Sequence, residues 1–322
     1  METFAIRNPG PMTTVQDLGR PAFLDRGVPL SGALDIFACR VANLLVGNPE
    51  GAAVLEITVM GPTLEVLAPA DIALTGADMG MTINREPVRG WKAIRVNSGD
   101  TIRIPRTTNG CRAYLAVTGG IDVPPMMGSR STFARAGIGG FQGRALIRGD
   151  LLRRGPGPLM NSLRELPDEC IPRYPQEITL RVLPGPQDDL FRKGSDDFFR
   201  AYYEVTEQGD RMGCRLRGPA VRRDDGSPES IVTEPTMAGN VQVPADGQPI
   251  ILLVEQTSGG YAKIATVITA DLSRVAQAMP GSTVRFERVS LETAHSLYRE
   301  QKRLLQRIQE YLKSKARLGG TA

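Results

Sequence analysis

Between Ala53 and about Arg154 the chain is a succession of short apolar runs, each stopped by Gly, Pro or Asp before it reaches the length of a helix. The runs at 53–59, 63–67, 70–75, 93–96, 101–104, 111–117 and 144–148 are dominated by Val, Ile, Leu and Thr, the signature of strands. The same rhythm returns at 202–206, 213–217, 230–234, 250–255, 264–269 and 283–288. Ser98-Gly99-Asp100, Arg148-Gly149-Asp150 and Pro280-Gly281-Ser282 sit between such runs as turn sequences. With 35 Gly and 24 Pro in 322 residues, the chain is built for many tight reversals. A mainly β protein, barrel or sandwich, is the expectation.

This length favours one large or two medium domains. The expected division is a first β-rich half over 1–154, a proline-rich connector over 155–176, a second β-rich half over 177–289 and a helical extension over 290–322. The halves echo each other: Asn8-Pro9-Gly10-Pro11 resembles Leu183-Pro184-Gly185-Pro186, and a short helix follows each. In the first, Ser31 is the expected cap, Leu34, Phe37, Ala38, Val41 and Leu45 form the apolar face, and Gly47 ends the helix. In the second, Ser195 is the expected cap, with Phe198, Phe199 and Tyr202 following. A further helix runs from Asp271 to Met279, before Pro280. The longest helical pattern, 291–317, carries Leu291, Ala294, Leu297, Leu304, Leu305, Ile308 and Leu312.

Several function classes are disfavoured. A net charge of +4, scattered along the chain, and 5% aromatic residues give no nucleic-acid footprint. No apolar run approaches the roughly 18 residues of a membrane span. Cys39, Cys111, Cys170 and Cys214 form no CxxC pair, and the N-terminus carries no apolar signal segment, so a reducing cytoplasmic compartment is expected. The single histidine, His295, lies in the C-terminal helical pattern, which argues against a His-based metal site or a Ser-His-Asp triad within this chain; no metal is expected. Walker, dinucleotide-binding and HExxH motifs do not occur, nor does a biotin-attachment sequence.

Chemistry is expected in four glycine-bearing polar segments. The first is Gln16–Arg20 with Ser31–Asp35, where Asp35 offers a carboxylate beside a helix N-terminus. The second contains Gly128-Ser129-Arg130-Ser131-Thr132, in which the planar fork of Arg130 suits a carboxylate or phosphate. The third is Gly209-Asp210-Arg211-Met212-Gly213. The fourth, Gln256-Thr257-Ser258-Gly259-Gly260-Tyr261-Ala262-Lys263, joins two apolar strands and combines close backbone approach with hydroxyl and ammonium donors. Structural turns account for the glycines equally well.

These segments together resemble one family. Gln16-Asp17-Leu18-Gly19-Arg20, Gly32-Ala33-Leu34-Asp35, Asn43 through Asn48, Leu55-Glu56, Leu74-Thr75-Gly76-Ala77, Tyr114 through Gly120, Gly128 through Thr132, Asp210 through Gly213, Gly247 through Ile250 and Thr257 through Ala265 are similar, in order, to the allophanate-hydrolase-subunit-2 family over roughly 4–289. The resemblance implies two cyclophilin-like β-barrel subdomains with a few short helices and a C-terminal helix. It implies a site completed by a subunit-1-type partner (the B subunit of 5-oxoprolinase), joined in that system by a lactam-utilisation-type protein, the A subunit. The leading activity it implies is ATP-dependent opening of 5-oxoproline to glutamate, with ATP and Mg at the assembled complex, no biotin attached to this chain, and little activity from the chain alone. Carboxyl transfer from carboxybiotin to urea or a related amide is the alternative enzyme reading. Non-catalytic binding of a kinase-inhibitor-like partner is the third. Arg130 and Lys263 are the expected catalytic residues, converging on a small anionic amide. Ser129, Thr257, Ser258, Gly259, Gly260 and Tyr261 are expected to bind it, and Asp17, Asp35 and Glu56 to support the site or the polar core.

Overall fold

The computed structural model describes residues 1–318. The described chain divides into two compact units: 1–20, 31–174 and 303–318 in the first, 21–30 and 175–302 in the second. The segment 21–30 thus groups with the second unit and the last part of the C-terminal helix with the first.

Two antiparallel sheets build the first unit. One runs in the order Leu151–Arg153, Glu2–Asn8, Thr63–Val66, Thr101–Arg103, Thr82–Ile83, Glu86–Pro87. The other runs Thr13–Gln16, Val54–Thr58, Asn109–Val117, Ala70–Asp78, Ala93–Val96. Phe4, Ile6, Leu64, Val66 and Ile102 of the first sheet and Leu55, Ile57, Ile72, Leu74 and Leu115 of the second share one core. The other face of the second sheet is covered by helix α1 (Ile36–Leu45). Phe37, Val41 and Leu45 meet Val54, Ala73, Tyr114 and Ala116 there. Leu305, Ile308 and Leu312 of the C-terminal helix join this second core.

Strand Asn109–Val117 shows how the sequence encodes both layers. Side chains alternate faces along a strand. Ala113, Leu115 and Val117 enter one core, whereas Tyr114 and Ala116 enter the other. A strand covered on both faces reads as an apolar run, as residues 113–117 do. Its neighbour Ala70–Asp78 carries Gly76 at φ +84, opposite Ala113. A Cβ there would stand 2.4 Å from the Arg112 carbonyl oxygen, so the register demands glycine.

The second unit closes into a barrel, ordered Glu177–Pro184, Ala262–Val267, Asn240–Val243, Ile250–Leu252, Gly213–Arg217, Tyr203–Val205, Thr283–Arg288. Glu177–Pro184 and Thr283–Arg288 seal it with a parallel pairing, and the remaining pairs are antiparallel. The short helix α2 (Ser195–Arg200) packs Phe198 on Phe286, ring centroids 4.5 Å apart. Helix α3 (Leu272–Gln277) follows the strand that carries Lys263, and Asp271 ahead of it is fully buried against Arg181. Helix α4 (Leu291–Leu318) ends the described chain.

Four local expectations fail; the first is the strand at 230–234, of which only Glu234 is extended, in the two-residue strand Glu234–Pro235. Helix α1 is capped by Asp35, whose Oδ1 accepts from Ala38 N at 3.0 Å, and not by Ser31, which takes φ +53 earlier in the chain. Helix α2 begins at Ser195 with Gly194 as its cap. Residues 144–148 form no strand: Arg144 and Ile147 N bind the Asp150 carboxylate, folding the segment into the turn before Leu151–Arg153.

Candidate active site

In the first unit, Asp17 organises the segment around Arg130. Asp17 follows the strand Thr13–Gln16 and is buried. Its Oδ1 accepts from Ser129 Oγ at 2.6 Å, Ser131 Oγ at 2.5 Å and Gly19 N at 2.8 Å, and its Oδ2 accepts from Arg130 N at 2.6 Å. Around this hub, Ser131 Oγ also accepts from Asp17 N, Thr132 N and Oγ1 donate to Val15 O, and Arg20 donates to Ser131 O. One carboxylate thereby fixes two chain segments more than a hundred residues apart in sequence. The side chain of Arg130 is set by Nε donating to Val123 O at 2.7 Å, with Asp122 Oδ1 3.9 Å from its terminal nitrogen. It remains half-exposed and borders a cleft of about 740 Å³ with Asn48, Thr118, Gly119, Met160 and Arg164.

Asp35 and Glu56 belong to a neighbouring buried network in the same unit. Tyr114 Oη donates to Glu56 Oε2 at 2.9 Å and accepts from Asp35 N at 2.7 Å, while Glu56 Oε2 also accepts from Leu34 N. Tyr174 Oη donates to Asp35 Oδ2. Burial first, then the Glu56 and Asp35 carboxylates, push the Tyr114 hydroxyl well above its ordinary pKa. Burial and the same carboxylates, with Asp17, also push up the Cys39 thiol, keeping it protonated and unreactive. These carboxylates anchor the start of α1 against the sheet.

Lys263 lies in the second unit, on the barrel strand Ala262–Val267, and is 2% exposed. Burial of an ammonium demands a partner. Its Nζ stands 2.6 Å from Glu234 Oε1, the anion that balances its charge. Gln187 Nε2 donates to the same oxygen at 2.8 Å, and Gln187 Oε1 accepts from Lys263 N. The Lys263 ammonium first, then the Gln187 amide, hold the Glu234 carboxyl below its ordinary pKa. Glu234 sits in the two-residue strand Glu234–Pro235, which pairs antiparallel with Ser258–Gly259 so that Glu234 lies opposite Gly259. Thr257, Ser258, Gly259 and Gly260 form the facing arm: Thr257 O accepts from Thr236 N, and Gly260 O from Ile231 N. Tyr261 is exposed beside it. Gly185 presses on the Lys263 backbone so closely that a Cβ would lie 2.1 Å from Lys263 O. The Asp210-Arg211-Met212-Gly213 segment fixes the approach to this loop, because buried Arg211 pairs with Glu255 at 2.5 Å.

The expected site residues therefore fall into two groups. Ser129 and Arg130 join Asp17 in the first unit. Lys263 joins the arm Thr257–Gly260 in the second. Among the described residues no cluster of His, Cys, Asp and Glu suits a metal ion, and no helix is long and apolar enough to cross a membrane. Glu234, Thr236, Gln187 and Gln242 carry no motif that singles them out in the sequence. Gln242 had a signal of another kind: a long amide within Asn240-Val241-Gln242-Val243, a strand buried at every position.

Comparison with known proteins identifies the lineage of this arrangement. Residues 26–288 match the model of the carboxyltransferase domain, subdomain A and B. The chain is 39% identical to the C subunit of 5-oxoprolinase from Escherichia coli, over 93% of this chain and 95% of that protein. It is 36% identical to a putative urea carboxylase of Emericella nidulans over 88% of its own length, but spans only 24% of that protein. The crystal structure of the Kluyveromyces lactis urea carboxylase superposes with a TM-score of 0.90 at 32% identity, covering 96% of this chain and 29% of the larger one. A family-model match over residues 26–288 and a fold shared over nearly the whole chain make this chain a member of the carboxyltransferase-domain A and B family, and it is similar to the C subunit of 5-oxoprolinase over nearly its whole length.

Proposed function

We propose that the chain is the C subunit of an ATP-dependent 5-oxoprolinase, working with a subunit-1-type partner and a lactam-utilisation-type protein. The observation that carries this reading is the match to the Escherichia coli C subunit over 93% of this chain and 95% of its relative; the urea carboxylase relative is about four times longer. A lactam carbon is a poor electrophile. Transfer of the ATP γ-phosphoryl group to the lactam oxygen forms an O–P bond and releases ADP. Water then adds to the activated carbon, the ring C–N bond breaks with the amine taking a proton, and γ-glutamyl phosphate results. A second water releases phosphate and leaves glutamate. The protein must hold the substrate carboxylate and stabilise oxygen charge as it develops. The buried Lys263 ammonium and the Arg130 guanidinium are the cations assigned to those tasks, with Ser129 and the Thr257–Tyr261 arm shaping the binding surface and Asp17, Asp35 and Glu56 supporting it. ATP and Mg belong to the assembled complex, and the chain alone turns over little substrate.

Co-expression with both partners, followed by measurement of ATP hydrolysis with and without 5-oxo-L-proline, tests the reading. Stimulated hydrolysis with stoichiometric glutamate is expected, and Lys263→Met should abolish it while the complex still assembles. No stimulation by any combination of the proteins overturns the reading. Carboxyl transfer to an amide is the second reading, favoured by the urea carboxylase relatives; carboxylation of urea in the presence of a biotin carboxylase and its carrier would select it.

A further inference from the structure

The two-stranded sheet beside Lys263 adjoins more donors than are used. Thr236 Oγ1 and Gln242 Nε2 are buried and lack hydrogen-bond acceptors, in residues 9% and 4% exposed, and beside them the buried Lys263 Nζ, 2% exposed, has the Glu234 carboxylate as its anion. Buried polar groups are nearly always satisfied, and a cluster that is not calls for an explanation. The three belong together in space. Gln242 is the cross-strand partner of Lys263, and residues paired in this way project to the same face. A Cβ on Gly259 would lie 2.4 Å from Gln242 Nε2 and 3.4 Å from Thr236 Cγ2. Glu234 pairs with Gly259 across the small antiparallel sheet and meets Lys263 Nζ at 2.6 Å. Among the described residues, the anion that meets Lys263 is therefore the Glu234 carboxylate, and it comes from outside: its side chain is 38% exposed, against 2% for Lys263.

We propose that Lys263, Gln187, Gln242 and Thr236 form a preformed donor pocket for a carboxylate or amide oxygen, and that Glu234 is a built-in surrogate ligand displaced when that oxygen enters. The geometry gives the surrogate a definite chemistry. Glu234 Oε1 already accepts from Gln187 Nε2 and touches the Lys263 ammonium, the two contacts a ligand oxygen would inherit. The two further donors, on Gln242 and Thr236, match a planar group with more than one acceptor. The displaced carboxylate moves to water at modest cost because it is already partly solvated, whereas the ammonium cannot follow. The ligand class is a small carboxylic acid or lactam. On the proposed activity, which this inference extends, Glu234 imitates the γ-carboxylate that ring opening creates.

Glu234→Gln removes the competing charge and leaves the donors intact. Titration of the purified chain with 5-oxo-L-proline and with L-glutamate, by calorimetry or by chemical shifts, should show at least tenfold tighter binding by this variant than by the unmodified protein. Gln242→Glu, which adds a second internal carboxylate beside Lys263, should abolish binding, with circular dichroism reporting that both variants stay folded. 2-Pyrrolidinone, which lacks the carboxylate, should gain less than tenfold. Equal affinity in the two proteins, or no binding by either, overturns the surrogate and leaves Glu234 as a structural clip. The two readings fail separately: stimulated ATP hydrolysis with unchanged affinity on Glu234→Gln removes the surrogate alone, and a tenfold gain without turnover in any complex removes the oxoprolinase reading alone.

Discussion

Replacement of Asp17 by Asn tests whether a single carboxylate holds the Arg130 segment in place. Four donors converge on its two oxygens: Gly19 N, Ser129 Oγ and Ser131 Oγ on one, Arg130 N on the other. An asparagine of the same shape offers one oxygen and one NH2. The serine hydroxyls can rotate to accept a proton, but the backbone N–H groups of Gly19 and Arg130 cannot. Whichever way the amide is turned, one of those two faces another donor. A hydrogen bond to a charged group contributes about 1.5–3 kcal/mol net. Taking about 2 kcal/mol, and about a factor of ten for every 1.4 kcal/mol, local opening becomes about 30-fold more frequent. Hydrogen exchange read at single amides should therefore show Gly19 or Arg130 exchanging about 30-fold faster, with Leu115 in the central strand unchanged. If both amides stay within about threefold of the unmodified protein, the carboxylate is not what fixes this loop.

Gly76→Ala should cost about 2–4 kcal/mol in urea denaturation, since φ +84 and a Cβ 2.4 Å from Arg112 O act together, whereas Gly99→Ala, at φ +92 with nothing within 4 Å, should cost only about 1 kcal/mol; equal losses would refute the packing argument. Cys39, Cys111 and Cys214 are buried and Cys170 is partly exposed, so the native protein should take up one equivalent of an alkylating reagent on Cys170 and the unfolded chain all four, as mass spectrometry would register. Glu234 is held below its ordinary pKa in the folded state, so its ion pair contributes stability above the unfolded carboxyl pKa and loses it as pH falls through the lowered value. The Tm advantage of the unmodified protein over Glu234→Gln should accordingly be constant near neutral pH and shrink below about 4.5, the ordinary carboxyl value; an advantage that grows on acidification contradicts the pairing.

Much of the fold was legible because its strands carry their signal locally. The runs at 93–96, 213–217 and 283–288 coincide with the observed strands, and the C-terminal helical pattern with α4 to within one residue. Strands Glu2–Asn8, Thr13–Gln16, Glu177–Pro184 and Asn240–Val243 were not foreseen. The first three adjoin Pro-Gly or polar turns that dominate a local window, and the fourth alternates amides with valines because its polar face is buried. The cap at Asp35 was masked by Ser31, an equally good capping residue whose backbone is committed elsewhere. At the candidate site, the motifs around Arg130 and Lys263 could be read in the chain. Their partners could not: Glu234 reaches Lys263 from 29 positions away and Gln187 from 76, through pairings that only the closed barrel creates.

The second core of the first unit takes Leu305, Ile308 and Leu312 from the later turns of α4. A ribosome making this chain must finish the whole intervening barrel before those side chains emerge. Until then the outer surface of α1 and its sheet stays greasy and uncovered, a natural hold for chaperones. A premature stop after the barrel would therefore injure the half of the molecule that was synthesised first.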